Sequence, residues 1–201
     1  MSQLNSNTPN TTDLLKQASG YIQKAKKLQA ENKFESAITA SEQALTIYAQ
    51  LEAWEKLIKT RQNISVIHLA FSTDRDLIVP FIEQTIDSCI SYLGRNHLIT
   101  ALSYIQFAHA HHLFGNYKLY TDYYFQALEI KKECYGEIHS EVALCYGAVG
   151  TGYMIQGQYS KAIGYVKKAF QMITKCIENE AKNPHTNHES LEKKLQNQLT
   201  H

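Results

Sequence analysis

The 201-residue sequence has no long apolar run, no CxxC pair and no excess of either charge. A membrane helix needs about 20 consecutive apolar residues; no segment approaches that, so membrane insertion is not expected. The opening "MSQLNSNTPNTTD" lacks the basic start and apolar stretch of a secretory leader. Cys89, Cys134, Cys145 and Cys176 are therefore expected to be reduced, mostly buried thiols in a reducing compartment, the cytoplasm. Delivery to another cell by a route other than the Sec pathway stays open. The formal net charge is +1, with Lys and Arg spread along the chain. Nucleic-acid binding calls for a basic stripe, so no nucleic-acid partner is expected. Nucleophile elbow, phosphate-binding glycine loop, zinc-protease helix and paired-carboxylate motifs are all missing. The expectation is a protein that is not an enzyme and carries no cofactor.

What the sequence does contain is helix periodicity interrupted by clustered glycine. Five of the nine glycines fall in "CYGAVGTGYMIQGQYSKAIGYV": Gly147, Gly150, Gly152, Gly157 and Gly164. Each costs roughly 1 kcal/mol in a helix interior relative to alanine. Yet the apolar spacing on both sides of Gly157 reads as helix.

Self-comparison shows why. A shift of 42 residues lays "GRNHLITALSYIQFAHAHHLFGNYKLYTDYYFQAL" over "GEIHSEVALCYGAVGTGYMIQGQYSKAIGYVKKAF". Gly94 falls on Gly136, His97 on His139, Leu102 on Leu144, Tyr104 on Tyr146, Gly115 on Gly157 and Tyr123 on Tyr165. Two fainter copies precede them, one over residues 21–48 and one over 53–92, the latter two amphipathic stretches broken at "STDRD". The coarse reading is four helical hairpins, each a helix A, a turn and a helix B, with turns near Asn32, Thr73, Gly115 and Gly157. Pro80 is expected in the first turn or so of its helix. The repeats are placed at about 14–50, 52–93, 96–135 and 138–176, inside a domain over 13–176. Residues 1–12 are read as a disordered arm ending in a helix cap near Thr12 or Asp13. Residues 177–201 are read as a polar tail, in which 188–199, with Leu191, Leu195 and Leu199, either form a capping helix or fray.

These residues resemble the tetratricopeptide repeat (TPR). Tyr146, Val149, Gly150, Tyr153, Gly157, Tyr159, Ala162 and Ala169 take the consensus places in the last copy; Tyr21, Ala25, Leu28, Phe34, Ala37 and Ala44 take them in the first. The long period, with "YGEIHSEVA" leading into a helix, is most similar to the repeats of kinesin light chain. The resemblance implies an all-α right-handed superhelix, an α-solenoid of about four TPR-like hairpins, acting as a protein-interaction module. It has limits. The Asn pair with which kinesin light chain repeats hold a peptide backbone is replaced by Gly147 and Ala148, and by Ile105 and Gln106. Ile22 and Lys26 stand where chaperone-binding domains begin their carboxylate clamp, so binding of chaperone tails is not expected.

The register separates the glycines. Gly157 ends a helix A, and Gly150 takes the small position where helices A and B cross, with Ala25 and Ala108 as equivalents. Gly152 and Gly164 receive no role. The A helices of such a stack line its concave face, which projects Ile22, Lys26, Arg61, Ile64, His68 and Phe71 into a groove. The later repeats add Leu102, Ile105, His109, His112, Leu144, Gly147, Thr151 and Met154. Gly147 would leave a hollow there. Exposed apolar side chains on one face mark a contact site, so the expected partner is a peptide or helix anchored by Leu102, Ile105, Leu144 and Met154. Two alternatives stand beside it: a structural subunit whose groove is filled by its own tail or by a homodimer, and a peptide-sensing regulator.

"HAHH" at 109–112 invites a metal reading, with His68, His109 and His112 as ligands. No Cys, Asp or Glu is placed to complete a shell, so polar groove histidines are preferred and no metal is expected. His111 is expected inside the core. His97 and His139, at one repeated place before helix A, point to loop capping. Tyr120 stands where the repeat prefers alanine, which predicts looser or locally shifted packing there.

Overall fold

Asn10, rather than Thr12 or Asp13, opens the first helix: its side-chain oxygen accepts from the Thr12 amide at 3.4 Å. Asparagine is the stronger N-cap, so the helix starts earlier than the threonines suggest. The computed structural model describes residues 10–182, and all regular structure among the described residues is helix. The chain divides into two compact units, the first ending at Thr73 and the second starting at Asp74. The first holds α1 (Thr11–Ala30), α2 (Phe34–Gln50) and α3 (Trp54–Phe71). The second holds α4 (Arg75–Leu93), α5 (Leu98–Leu113), α6 (Tyr117–Tyr135), α7 (Ser140–Ile155) and α8 (Tyr159–Lys182). Two expected limits shift: helix begins at Thr11 instead of 13, and α8 continues to Lys182, past the boundary at 176. The capping segment expected over 188–199 lies outside the described residues.

In the first unit Ala18 of α1 packs with Ala44, Ile47 and Tyr48 of α2, and Leu14, Leu15, Tyr21 and Leu57 close around them. The connections turn on Asn32 and Glu52, both at positive φ (59° and 52°). In the second unit each helix packs on its neighbours in sequence, α4 on α5 through to α7 on α8. Tyr120, Tyr124 and Leu128 of α6 meet Val142, Cys145 and Val149 of α7, with Ala108 and Ala169 completing the cluster. Small residues sit where A and B helices approach. A Cβ on Gly150 would lie 2.8 Å from Val166 Cγ2 and 3.2 Å from the Val166 backbone nitrogen, so glycine is required there. Gly157, at φ +73°, takes the left-handed conformation that ends α7 without the strain a side chain would add.

Pro80 lies just past the first turn of α4. Asp74 caps α4 by accepting from the amides of Asp76 and Leu77, so the helix starts at Arg75 and Pro80 falls in its second turn. None of the four cysteines forms a disulfide among the described residues; Cys89 and Cys145 are buried, Cys134 and Cys176 half-buried.

The repeated histidines are helix caps. His97 Nδ1 accepts from the Ile99 amide at 3.1 Å, and His139 Nδ1 accepts from the Glu141 amide at 3.1 Å. Each ring thus occupies the place usually taken by Ser, Thr, Asp or Asn, two residues before the amide it satisfies. The His139 ring also stacks on Tyr135, centroids 4.2 Å apart. Accepting at Nδ1 requires a neutral ring, and partial burial lowers the His139 pKa below its ordinary 6.5, with Glu141 opposing. His139→Ala is expected to cost about 1 kcal/mol in chemical denaturation, and His139→Asn to recover most of it. Burial also lowers the pKa of His68, His109 and His111. The folded chain therefore binds fewer protons than the unfolded one once pH falls below about 6.5. Stability is complete above that value and declines below it, as a falling Tm between pH 7.5 and 5.5 would show. His139→Asn should decline less.

Candidate functional site

The projected groove residues divide by environment. In the first unit Lys26 is exposed, Arg61 and His68 are half-buried, and Ile22 leans on the α1–α2 core. Phe71 is largely exposed and stacks on Phe34, which ties it to the start of α2. Ile64 is a correction: its side chain is fully enclosed, so it is a core residue with no surface to offer. Helix α3 buries Ile58, Thr60, Gln62, Ile64, Ser65 and Ile67, more than one stripe of its circumference, so helical spacing could not identify an outward face there.

In the second unit the apolar anchors are at the surface. Leu102 on α5 is 47% exposed and its repeat equivalent Leu144 on α7 is 62% exposed. Ile105 is half-buried against the core cluster, while a Cβ on Gly147, its equivalent, would meet nothing within 4 Å. A side chain at Gly147 would therefore meet only open space. Thr151 donates its hydroxyl to the Gly147 carbonyl at 3.1 Å. Thr151 and Met154 line a cleft of about 570 Å³ with Gly150 and with Tyr159, Ile163, Val166 and Phe170 of α8. Both thus border α8, one and two turns along α7 from Gly147.

The histidines of "HAHH" are occupied by tyrosines. His109 Nε2 is 3.0 Å from the Tyr124 hydroxyl, and the His112 ring lies 5.5 Å from that of Tyr117 and 5.4 Å from that of Tyr120. Burial pushes the Tyr120 and Tyr124 hydroxyls above their ordinary pKa, so both stay protonated at neutral pH. His111 is buried, stacks on Tyr123 with centroids 5.4 Å apart, and packs against Phe107. Among the described residues no three His, Cys, Asp or Glu side chains gather to hold a metal. None of their helices is long and apolar enough to cross a membrane.

Two features of the α6–α7 contact were missed by sequence reasoning. Gly152 has a role after all: a Cβ there would lie 2.3 Å from Thr121 Oγ1 and 3.0 Å from the Tyr120 ring. Of the two expected outcomes, looser or shifted packing at Tyr120, looseness is not found: the contact is tight, and Gly152 on the facing helix supplies the room. Gln156 spans the same contact, donating to the Tyr117 carbonyl at 3.0 Å and to Thr121 Oγ1 at 2.8 Å. The second feature is a buried ion pair, Lys131 Nζ to Glu141 Oε2 at 2.6 Å. Gly147 and Gly152, five residues apart on one helix, should respond oppositely to alanine. Gly147→Ala should stabilise by about 0.5–1 kcal/mol through helix propensity. Gly152→Ala should destabilise by about 1–2 kcal/mol, because overpacking exceeds that gain. Urea unfolding of both variants checks the pair of signs.

No protein-family model matches the sequence, and no curated protein does. Solved structures do. BtubC (BKLC) from P. vanneervenii is similar over 85% of this chain and 67% of its own, at 15% identity and a TM-score of 0.70. The nearly identical TPR-like repeats assigned to a kinesin light chain of Podosopora anserina are similar over 79% of this chain and 75% of theirs, at 17% identity and a TM-score of 0.64. A Q17M form of those repeats is similar over 88% and 81%, at 17% identity and a TM-score of 0.66. Such low identities speak for the fold alone. Helices packed in sequence within each unit of the described residues, repeated capping histidines and these likenesses agree: the chain has the TPR-like fold.

Proposed function

We propose that the protein is a non-catalytic interaction module that holds a peptide or partner helix against the A-helix face of α5 and α7. Leu102 and Leu144 carry this reading: two leucines at equivalent places of successive repeats, both left exposed. Leucine gains roughly 1.5–3 kcal/mol from full burial, and helical-repeat folds characteristically present such rows to an elongated ligand. Ile105 provides a half-buried platform between them, and the open space at Gly147 accepts a side chain or a close-running backbone. At the polar edge, burial, with repulsion from His112, lowers the His109 pKa. An apolar segment without a strong charge requirement fits this face.

Selection from a displayed random-peptide library against the full chain tests the proposal. Enriched peptides should carry two apolar residues at a fixed spacing and should lose binding to the double variant Leu102→Glu, Leu144→Glu. Peptides that bind the double variant as well as the natural chain would place the working surface elsewhere.

A further inference from the structure

The largest unpartnered apolar feature among the described residues is on α8. Tyr159, Ile163, Val166, Phe170, Ile173 and Ile177 recur at alternating intervals of four and three, the spacing of a two-helix seam. The repeat register shows what that face is for. On α6 the equivalents of Ile163, Val166, Phe170 and Ile173 are Thr121, Tyr124, Leu128 and Lys131, exposed by 3%, 8%, 1% and 5%, because α7 covers them. On α8 the same four places are exposed by 68%, 52%, 72% and 42%.

The substitutions also indicate what kind of helix fits. Thr121 accepts from Gln156 of α7, and Lys131 pairs with Glu141 of α7. Both polar partners are replaced on α8, by Ile163 and Ile173, so its face lacks the bonding groups that receive α7. What remains is an apolar seam that matches itself. Laid antiparallel on a second copy about an axis near Lys168, Tyr159 meets Ile177, Ile163 meets Ile173, and Val166 meets Phe170. Each aromatic thus opposes a smaller β-branched residue. At the axis, Phe170 of the second copy points to the 570 Å³ cleft bounded by Gly150, Met154, Ile163 and Val166. The seam is about 27 Å long at 1.5 Å per residue. Two aromatic rings of about 150–250 Å² each and four aliphatic side chains bring it to the scale of a standard interface, roughly 800 Å² per partner.

We infer that α8 is a self-association surface: two copies of this chain pair antiparallel through Tyr159, Ile163, Val166, Phe170, Ile173 and Ile177, around a two-fold axis. The groove ligand and the second copy occupy different faces, so either assignment can fail without the other.

Sedimentation equilibrium of the full chain tests it. A mass twice the 22.9 kDa of one chain is expected at tens of micromolar. Ile163→Glu with Phe170→Glu, both at exposed sites, should weaken the dimer at least 100-fold with unchanged circular dichroism. Lys167→Ala should leave it as tight or tighten it several-fold, because Lys167 borders the seam near the axis and faces its own copy. A full-length monomer up to several hundred micromolar overturns the inference. So does a monomer that dimerises only after removal of residues 183–201, which would make the tail the occupant. A dimer untouched by the double substitution, or one weakened by Lys167→Ala, overturns it equally.

Discussion

Replacing Glu141 with alanine is expected to destabilise the second unit by about 2–3 kcal/mol. The reason is the state in which it leaves Lys131. That ammonium is 5% exposed at the α6–α7 contact and its ion-pair partner is the Glu141 carboxylate, 2.6 Å away. Breaking a buried pair by removing one member strands the other charge, at about 3–5 kcal/mol for full enclosure. Glu141 is itself partly open to water, which brings the figure down. At roughly 2–4 °C per kcal/mol for a chain of this size, the Tm should fall by about 5–10 °C. Adding Lys131→Met to Glu141→Ala should restore most of the loss, since a buried pair and an apolar filling of similar volume differ little. A loss below about 0.5 kcal/mol in the single variant would mean that Lys131 reaches water, and the α6–α7 contact would be looser than described. The repeat equivalent of Lys131 is Ile173, so the same change of chemistry already stands one repeat later, where no described helix covers it.

The double variant Leu102→Glu, Leu144→Glu should cost a groove ligand at least about 100-fold in affinity. A buried anchor is worth roughly 2 kcal/mol or more on truncation, and 1.4 kcal/mol is tenfold. Introducing a carboxylate adds the cost of burying its charge. The loss should be in binding alone. Both leucines point away from the core cluster, so urea unfolding should change by less than about 0.5 kcal/mol. Each single variant should lose roughly half of the total in free energy if the ligand spans both repeats. A loss confined to Leu144→Glu would restrict the site to α7.

Legibility followed the repeat register. Whatever recurs within one hairpin could be read from the chain: Gly157 closing a helix, Gly150 at a crossing, His111 in the core, His97 and His139 before helix A. The histidines illustrate the gain from repetition, because a single histidine before a helix says nothing, whereas two at one place imply a shared structural task. What lies between hairpins was not legible. Gly152 answers to Tyr120 and Thr121 on the preceding repeat, and Glu141 to Lys131; neither pairing follows from periodicity inside a helix. Ile64 failed for a related reason: α3 is buried on several sides, and the projection from register assumes a single core-facing stripe. Spacing alone also could not separate α8 from α6. Both carry side chains at the same helical spacing, and only the three-dimensional neighbours reveal that one face is covered and the other open.

The claim that α5 and α7 present the working face is tested most directly by hydrogen–deuterium exchange of the full chain with and without a library-selected peptide. Slowed exchange is expected in α5 around Leu102 and Ile105 and in α7 around Leu144 and Gly147, with α8 unchanged. Protection confined to α6 or α8 would contradict the account.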